Sequence, residues 1–497
     1  MIENITKKTK ITCTIGPASE KKEVLVKLLA HGMNICRLNF SHGSHEEHLG
    51  KIKTIRQIEQ EENIIIPIML DTKGPEIRTH DFKDGIAKIA TGQEIEIYDH
   101  EILGDETKFS TTHAALYDDV KEGDHIRLDD GNLDLVVIGK RKKDRVILVK
   151  ATNHHVIKNK RGVNCPNVHL TLPYISEKDK ADLIFGCEQK LDFVAASFVR
   201  NVKDITDIRK ILDDNGGKNI KIISKVENTE AVQCLDDIIK NSDGIMVARG
   251  DLGVEIPPEE VPVIQKKIIE KCRELGKPVI TATQMLDSMK TNPNPTRAEV
   301  SDVANAVIES TDSVMLSAES ASGEYPVEAV SMQAKISAKM EEFLNYEEMA
   351  KFAFDLSNKN INDAIANAVA NTALLLNAKL IVCFSETGAT ARRMSKARPV
   401  CPIISISNNL NVCREGCLFW GVYPKLVKKV PQFIEEMEVF ALHLARLHNI
   451  PSKSKIIITG GTPVGAGKTN FMKVITVGQH DGEIDLWEHQ EKFMQLI

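Results

Sequence analysis

A chain of 497 residues, 42% apolar, 27% charged and 5% aromatic, is too long for one hydrophobic core and too apolar for a disordered one, so it should fold into roughly two to four globular domains. Its net charge is −6, with Lys and Arg scattered along the sequence, which argues against a nucleic-acid partner and for small-molecule chemistry. The polar stretch Met1–Lys10, the break at Gly16 and Pro17, and the lack of any run of about 18 apolar residues speak against an export signal or membrane span, and ten cysteines without a C-x-x-C read as reduced thiols of a cytoplasmic protein.

From Thr9, short β-branched runs alternate with helical stretches: KITCTIGP, Lys21 to His31, MNICRLNF, Glu46 to Glu61, then IIIPIMLDTKGP. That rhythm predicts parallel βαβ units. Between about Glu76 and Leu170 it gives way to the short strands GQEIEIYD, DHIRLDDGNLDLVVIG and DRVILVKATN, separated by Gly, Asp and Asn turns, which predicts an inserted all-β module over 76–170. The alternation resumes with LDFVAASFVR, IKIISKVEN, SDGIMVARGDLGVEI, KPVITATQ and TDSVMLS, making eight β units in all. Eight close a (β/α)8 barrel, TIM-like, formed by 1–75 and 171–345. A further α/β block, 346–479, carries LIVCFSE, PIISIS and KIIITGG. The tail 480–497, with Ile484, Trp487, Phe493, Met494 and Ile497, suits either a docked helix or a disordered end.

A barrel of this kind carries its chemistry at the carboxyl ends of its strands. There, CRLNFSHG sets Arg37, Asn39 and Ser41 on alternate positions, and LDTKGPEIRT supplies Asp71, Thr72, Lys73 and Arg78. The two arginines suit phosphate, and oxygens of Asn39, Ser41, Asp71 and Thr72 suit a weakly hydrated monovalent cation; Asp71-Thr72 equally fits a helix or turn cap. In IISKVEN, Lys225 and Glu227 share one side of a strand end, and the next strand ends in Arg249-Gly250-Asp251, a second carboxylate in a glycine turn. Either motif alone fits a surface ion pair or an ordinary turn. On consecutive strands they form an incomplete ligand set for Mg2+ or Mn2+ beside a cation.

The motifs RLNFSHG, LDTKGPEIRT, RGVN, SEKD, SFVR, KVEN, MVARGDLGVE, TATQML, PTRAEVSDVANAV and MLSAESASGEYP follow one another in this order. From ITCTIGP to TNFMKVITV the sequence resembles the pyruvate kinase family. The resemblance implies a barrel split by a mobile β-barrel lid, a C-terminal α/β regulatory domain, a homotetramer, and the glycolytic conversion of phosphoenolpyruvate and ADP to pyruvate and ATP. It also implies that Lys225 stabilises the transferring phosphoryl group with Arg37 assisting, that Glu227 and Asp251 bind Mg2+, and that the Ala248, Arg249, Gly250, Asp251 turn holds the substrate carboxylate. Thr283 would relay the proton that completes pyruvate, through water because a threonine is a weak acid. Arg37, Asn39, His42, Arg78 and Arg161 would contact the nucleotide, and Arg161 replaces the lysine common in the lid motif, exchanging a point charge for a fork. Asn39, Ser41, Asp71 and Thr72 would bind K+, and Glu76 marks the K+-dependent members.

In the C-terminal block, Ser385, Glu386, Thr387, Gly388, Ala389 and Thr390 lie between a strand and the helix ATARRMSKAR, the layout of a phosphate cradle, similar to the family's effector loop and implying a phosphorylated sugar or nucleotide activator. Plain N-capping by Thr387 or Thr390 is the simpler alternative, and Glu386 would repel phosphate unless turned away. The run Gly461–Thr469 only mimics a P-loop, since Thr462 stands where the motif needs glycine and a strand follows. Two other readings are a barrel lyase or aldolase acting on an enolate, which needs no lid, and a degenerate scaffold, which would lack one of Lys225, Glu227, Asp251 or Thr283.

Overall fold

The computed structural model describes residues 7–356, 360–461 and 469–478. Eight parallel strands, Lys10–Thr14, Ile35–Asn39, Ile68–Asp71, Phe193–Ala196, Lys221–Val226, Gly244–Ala248, Val279–Ala282 and Ser313–Leu316, close a barrel in chain order. Most are buried along their whole length because both faces are covered, which is why they read as apolar runs without alternation. Ile35, Met69, Phe193, Ile223, Met246 and Met315 fill the interior, while the outer faces pack on the surrounding helices. Asn39, Asp71, Glu227, Ala248 and Thr283 all lie at or just beyond carboxyl ends of these strands.

After the third strand the chain leaves the barrel and builds a seven-stranded sheet in the order Ile77–Arg78, Gly162–Asn164, His125–Leu128, Leu133–Arg141, Val146–Ala151, Glu94–Tyr98, Lys108–Ser110. Its two edges meet: Thr79 bridges Thr111, the Thr112 N–H donates to the Arg78 carbonyl at 2.8 Å, and the His80 N–H to the Ser110 carbonyl at 3.0 Å. The inserted module is thus rolled on itself, which removes exposed edges. Ile86–Ile89 pairs with His155–Lys158 in a separate two-stranded sheet.

The C-terminal block is a five-stranded sheet ordered Val422–Leu426, Ile403–Ser407, Leu380–Phe384, Lys455–Gly460, Phe471–Thr476, the last strand antiparallel. Val422–Leu426 is not evident in the sequence because Pro424 interrupts its pattern; a proline is tolerated there because the strand is an edge. This block closes the amino-terminal end of the barrel. Leu418 joins the barrel interior, and the guanidinium of Arg398 pairs with Asp312 at 2.8 Å, donates to the Ser310 carbonyl at 2.9 Å and lies over Trp420. Asp312 in turn accepts from the Val279 N–H at 3.0 Å, at the start of the seventh barrel strand. Arg398→Ala leaves that carboxylate buried without its counter-charge, so denaturant unfolding should show a loss of about 3–5 kcal/mol; Arg398→Lys should recover part of it.

Candidate active site

Three barrel strands, the second, third and fifth, deliver charged side chains to one point. The register that sets Asn39 opposite Asp71 brings the second and third strands together, and Arg37 Nε donates to Asp71 Oδ2 at 2.6 Å while its Nη1 donates to Thr14 Oγ1 at 2.7 Å. From the fifth strand Lys225 Nζ reaches Asp71 Oδ1 at 3.2 Å, Ser197 Oγ at 2.8 Å and Glu227 Oε1 at 2.9 Å. Burial alone would lower the Lys225 pKa, but Asp71 and Glu227 outweigh it and raise the value above that of a free lysine. Burial would likewise raise Asp71; Arg37 and Lys225 overcome it and hold the carboxylate below its ordinary range. Asp71 and Lys225 therefore stay ionised in a site where neither has water to rely on.

Glu227 differs. Its Oε2 accepts the Phe198 N–H at 2.6 Å, and its buried Oε1 faces the Lys225 ammonium at 2.9 Å. Burial, opposed by Lys225 and reinforced by Asp251, pushes this carboxyl up to about 7. Asp251 is raised too, by burial first, against the pull of Lys225, with Asp130 of the inserted module and Glu76 adding negative charge. Two neighbouring carboxyls that both resist ionisation form a donor set suited to a divalent cation.

Arg249–Gly250–Asp251, expected as a glycine turn, is the first turn of the helix Arg249–Glu255. The Gly250 N–H donates to Thr283 Oγ1 at 2.8 Å. The Arg249 side chain points away from the carboxylates, forking onto Asp302 at 2.6 and 2.7 Å and donating to the Thr283 carbonyl at 2.7 Å. Thr283 and Gln284 have φ of +70° and +53°, and Phe198 +53°, costly conformations for non-glycine residues that place the Thr283 hydroxyl and the Phe198 N–H at the barrel mouth. Thr283 Oγ1 donates to the Ala282 carbonyl at 2.6 Å.

The remaining expected residues fall around this centre. Asn39 Oδ1 accepts the Ser41 N–H at 3.1 Å, and Thr72 Oγ1 accepts the Ser197 N–H at 3.1 Å. Arg78 sits opposite Gly162 in the inserted sheet, with Nη2 2.5 Å from Glu76 and Nη1 donating to the Lys160 carbonyl at 2.8 Å. Arg161 lies 3.4 Å from Asp129, and His42 is exposed. Arg127 donates to the Val254 carbonyl and Asn164 to Glu255 at 3.0 Å, so the inserted module rests on the helix that carries Asp251. Between module and barrel lies a cavity of about 440 Å3 bordered by Glu76, Asp130, Asn164, Phe198, Asp251 and Glu255. Ser197 and Asp302, both central, went unnoticed as site residues although they stand in SFVR and PTRAEVSDVANAV. A polar residue just past an apolar strand was the signal for Ser197; Asp302, on a helix, gave none.

The loop 385–390 lies elsewhere, at the end of Leu380–Phe384. Gly388, with φ +77°, is the N-cap of the helix Ala389–Lys396, so neither threonine caps it; Ser385 Oγ accepts the Thr390 N–H at 3.3 Å. Thr390 Oγ1 meets Thr469 Oγ1 at 2.7 Å, placing the end of the glycine-rich run against this loop. Residues 462–468 and the tail 480–497 lie outside the described residues.

Comparison with known proteins matches two family models, the barrel domain of pyruvate kinase over 6–330 and its alpha/beta domain over 363–475. The chain is 48% identical over 469 residues to the pyruvate kinase of Geobacillus stearothermophilus, covering 94% of this chain and 80% of that one. With the pyruvate kinase of Sporosarcina psychrophila it shares 46% over 473 residues, 95% of this chain and 81% of the other. A crystal structure of a pyruvate kinase from Cryptosporidium parvum superposes with a TM-score of 0.89 at 39% identity, over 95% of this chain and 96% of that one.

Because Glu227 stands well above its ordinary 4.5, folding takes up a proton between that pH and about 7. This carboxyl's contribution to stability is therefore present at low pH and lost as pH rises through that interval. Infrared titration of the metal-free protein should show a protonated-carboxyl band that disappears as pH rises, weakened in Glu227→Gln and absent when Asp251→Asn is added.

Proposed function

We propose the following roles from one premise: the chain belongs to the pyruvate kinase family, and it transfers the phosphoryl group of phosphoenolpyruvate to ADP, giving pyruvate and ATP. The observation that carries the assignment is the Lys225 ammonium, kept protonated between Asp71 and Glu227 at the barrel mouth.

A phosphoryl group in flight carries charge on its equatorial oxygens, so catalysis consists of positioning and of fixed positive charge. Lys225 supplies that charge from one side and Arg37 from the other, both oriented by Asp71. The amino-terminal turn of the helix Arg249–Glu255, from Ala248 to Asp251, would take the substrate carboxylate through backbone N–H groups. A divalent ion, Mg2+ or Mn2+, held by Glu227 and Asp251 would supply Lewis-acid charge to the phosphoryl and enolate oxygens when bound. Oxygens of Asn39, Ser41, Asp71 and Thr72 would hold K+ beside it, with Glu76 the residue associated with that requirement.

Transfer breaks the bond between phosphorus and the enol oxygen and forms one to the terminal oxygen of ADP. The enolate left behind takes a proton at carbon, delivered from water that Thr283 orients. Arg37, Asn39, His42, Arg78 and Arg161 are the candidates for holding the nucleotide, on the side of the mouth where the inserted module joins the barrel. The division we favour is a catalytic barrel from 1–75 and 171–345, a lid from 76–170, an effector domain from 346–479 and the tail beyond it. The loop 385–390 would bind a phosphorylated activator, in a cytoplasmic homotetramer. Among the described residues no helix is long and apolar enough to cross a membrane.

Lys225→Met keeps the side chain's bulk while removing its charge. In an assay coupled to ATP formation, kcat should fall about a thousandfold or more, while circular dichroism and Mn2+ binding stay near wild type. A wild-type rate would exclude Lys225 from the phosphoryl step.

A further inference from the structure

Ser197 follows the fourth barrel strand and is 2% exposed. Its hydroxyl lies 2.8 Å from Lys225 Nζ, 2.6 Å from the Thr72 carbonyl oxygen and 3.1 Å from Asp71 Oδ1. The backbone around it is fixed. Its N–H donates to Thr72 Oγ1 at 3.1 Å, the Tyr174 hydroxyl donates to its carbonyl at 3.1 Å, and Gly74 passes so close that a Cβ there would stand 2.9 Å from the Ser197 Cβ. With φ at +70°, Gly74 is held to that approach by a conformation other residues avoid.

A hydroxyl has one proton to give and two lone pairs with which to accept. Lys225, an ammonium, can only donate, so it occupies a lone pair on Ser197. The single serine proton then has two acceptors, the Thr72 carbonyl and Asp71 Oδ1, and lies nearer the carbonyl. Asp71 Oδ1 also accepts from Lys225 at 3.2 Å. Lys225, Ser197 and Asp71 therefore form a closed set of contacts, with Thr72 attached through the serine. Ser197 is the side chain that touches both the phosphoryl-facing cation and two of the residues assigned to the monovalent site.

We propose that Ser197 is a positioning residue that couples the monovalent-cation site to Lys225, an inference that rests on the assignment of that site to Asn39, Ser41, Asp71 and Thr72. By accepting from Lys225 at 2.8 Å, the hydroxyl holds the ammonium back at 3.2 Å from Asp71 Oδ1, which leaves that carboxylate available to a cation drawing on Asp71 and Thr72. The hydroxyl oxygen keeps its hold on Lys225, so the ammonium feels whether the ion is present. Without the hydroxyl, Lys225 retains its two carboxylate partners and is drawn towards them, so that it competes with the monovalent ion for Asp71 and no longer sits where it would meet the phosphoryl group. Loss of Ser197 should thus impair turnover and the response to K+ together, which a serine that merely packs the strand end would not do.

The test compares wild type, Ser197→Ala, Ser197→Cys and Ser197→Thr. Thermal midpoints are followed against KCl, with tetramethylammonium chloride holding ionic strength constant, and kcat and the KM for phosphoenolpyruvate are measured at saturating K+ and Mg2+. Wild type should gain stability from K+. Ser197→Ala should need at least about tenfold more K+ for the same shift and lose about tenfold or more in kcat, with KM within about twofold, as expected for one hydrogen bond to a charged group. Ser197→Cys, close to serine in size but a weak donor, should behave like alanine and serves if the alanine variant does not fold. Ser197→Thr, which keeps the hydroxyl, should recover part of the K+ response. Alanine and cysteine variants with a wild-type K+ midpoint, whatever their stability, would overturn the coupling. A wild-type protein that forms ATP and binds Mn2+ but shows no K+ shift would instead overturn the cation-site assignment, and the coupling with it.

Discussion

The arrangement at the barrel mouth follows from one constraint: a buried ammonium must be matched by carboxylates that stay ionised. Asp71 meets it for Lys225 and for Arg37 at once, with each of its oxygens on a different cation. Breaking one partner of such a cluster strands the other in a low-dielectric site, so the cluster ties the second, third and fifth strands of the barrel to one another. In the mechanism we propose, this fixed positive charge would need no reorganisation when the phosphoryl group arrives. The barrel core below supplies rigidity, and the C-terminal block closes its far end through Leu418, Arg398 and Trp420.

Glu227 and Asp251 take the opposite course. Burial and neighbouring negative charge hold both above their ordinary values despite the pull of Lys225. Their environment would favour a divalent cation, whose binding would displace bound protons. Strain serves the same centre: Phe198 and Thr283 adopt left-handed backbone conformations, and each then contributes a group, an N–H to Glu227 and a hydroxyl to the Gly250 N–H, that a relaxed backbone would aim elsewhere. Arg249 holds the Thr283 loop in place from behind, anchored by Asp302.

Much of this was legible in the sequence. The eight barrel strands stand out because parallel strands covered on both faces are apolar throughout, and helices separate them. Lys225, Glu227, Arg37 and Asp71 were visible as polar residues ending such runs. The strands Ile77–Arg78, Lys108–Ser110 and Gly162–Asn164 were not, because two or three residues cannot display a period. Arg249–Glu255 read as a turn because two glycines lower helix propensity, whereas contacts with Thr283 and Asp302 decide its conformation. Ser197 escaped notice for a related reason: its importance lies in three neighbours distant in sequence, at positions 71, 72 and 225, and no local pattern encodes them.

Asp71→Asn tests most directly whether one carboxylate orients both cations. The amide retains the shape, one oxygen acceptor and the fold of the strand end, but removes the charge that holds Arg37 and Lys225 in place. In the coupled ATP assay at saturating Mg2+ and K+, kcat should drop by about two orders of magnitude or more. Circular dichroism should be unchanged. An Asp71→Asn enzyme turning over at the wild-type rate would show that Lys225 and Arg37 reach the phosphoryl group without it, and would contradict the organisation described above.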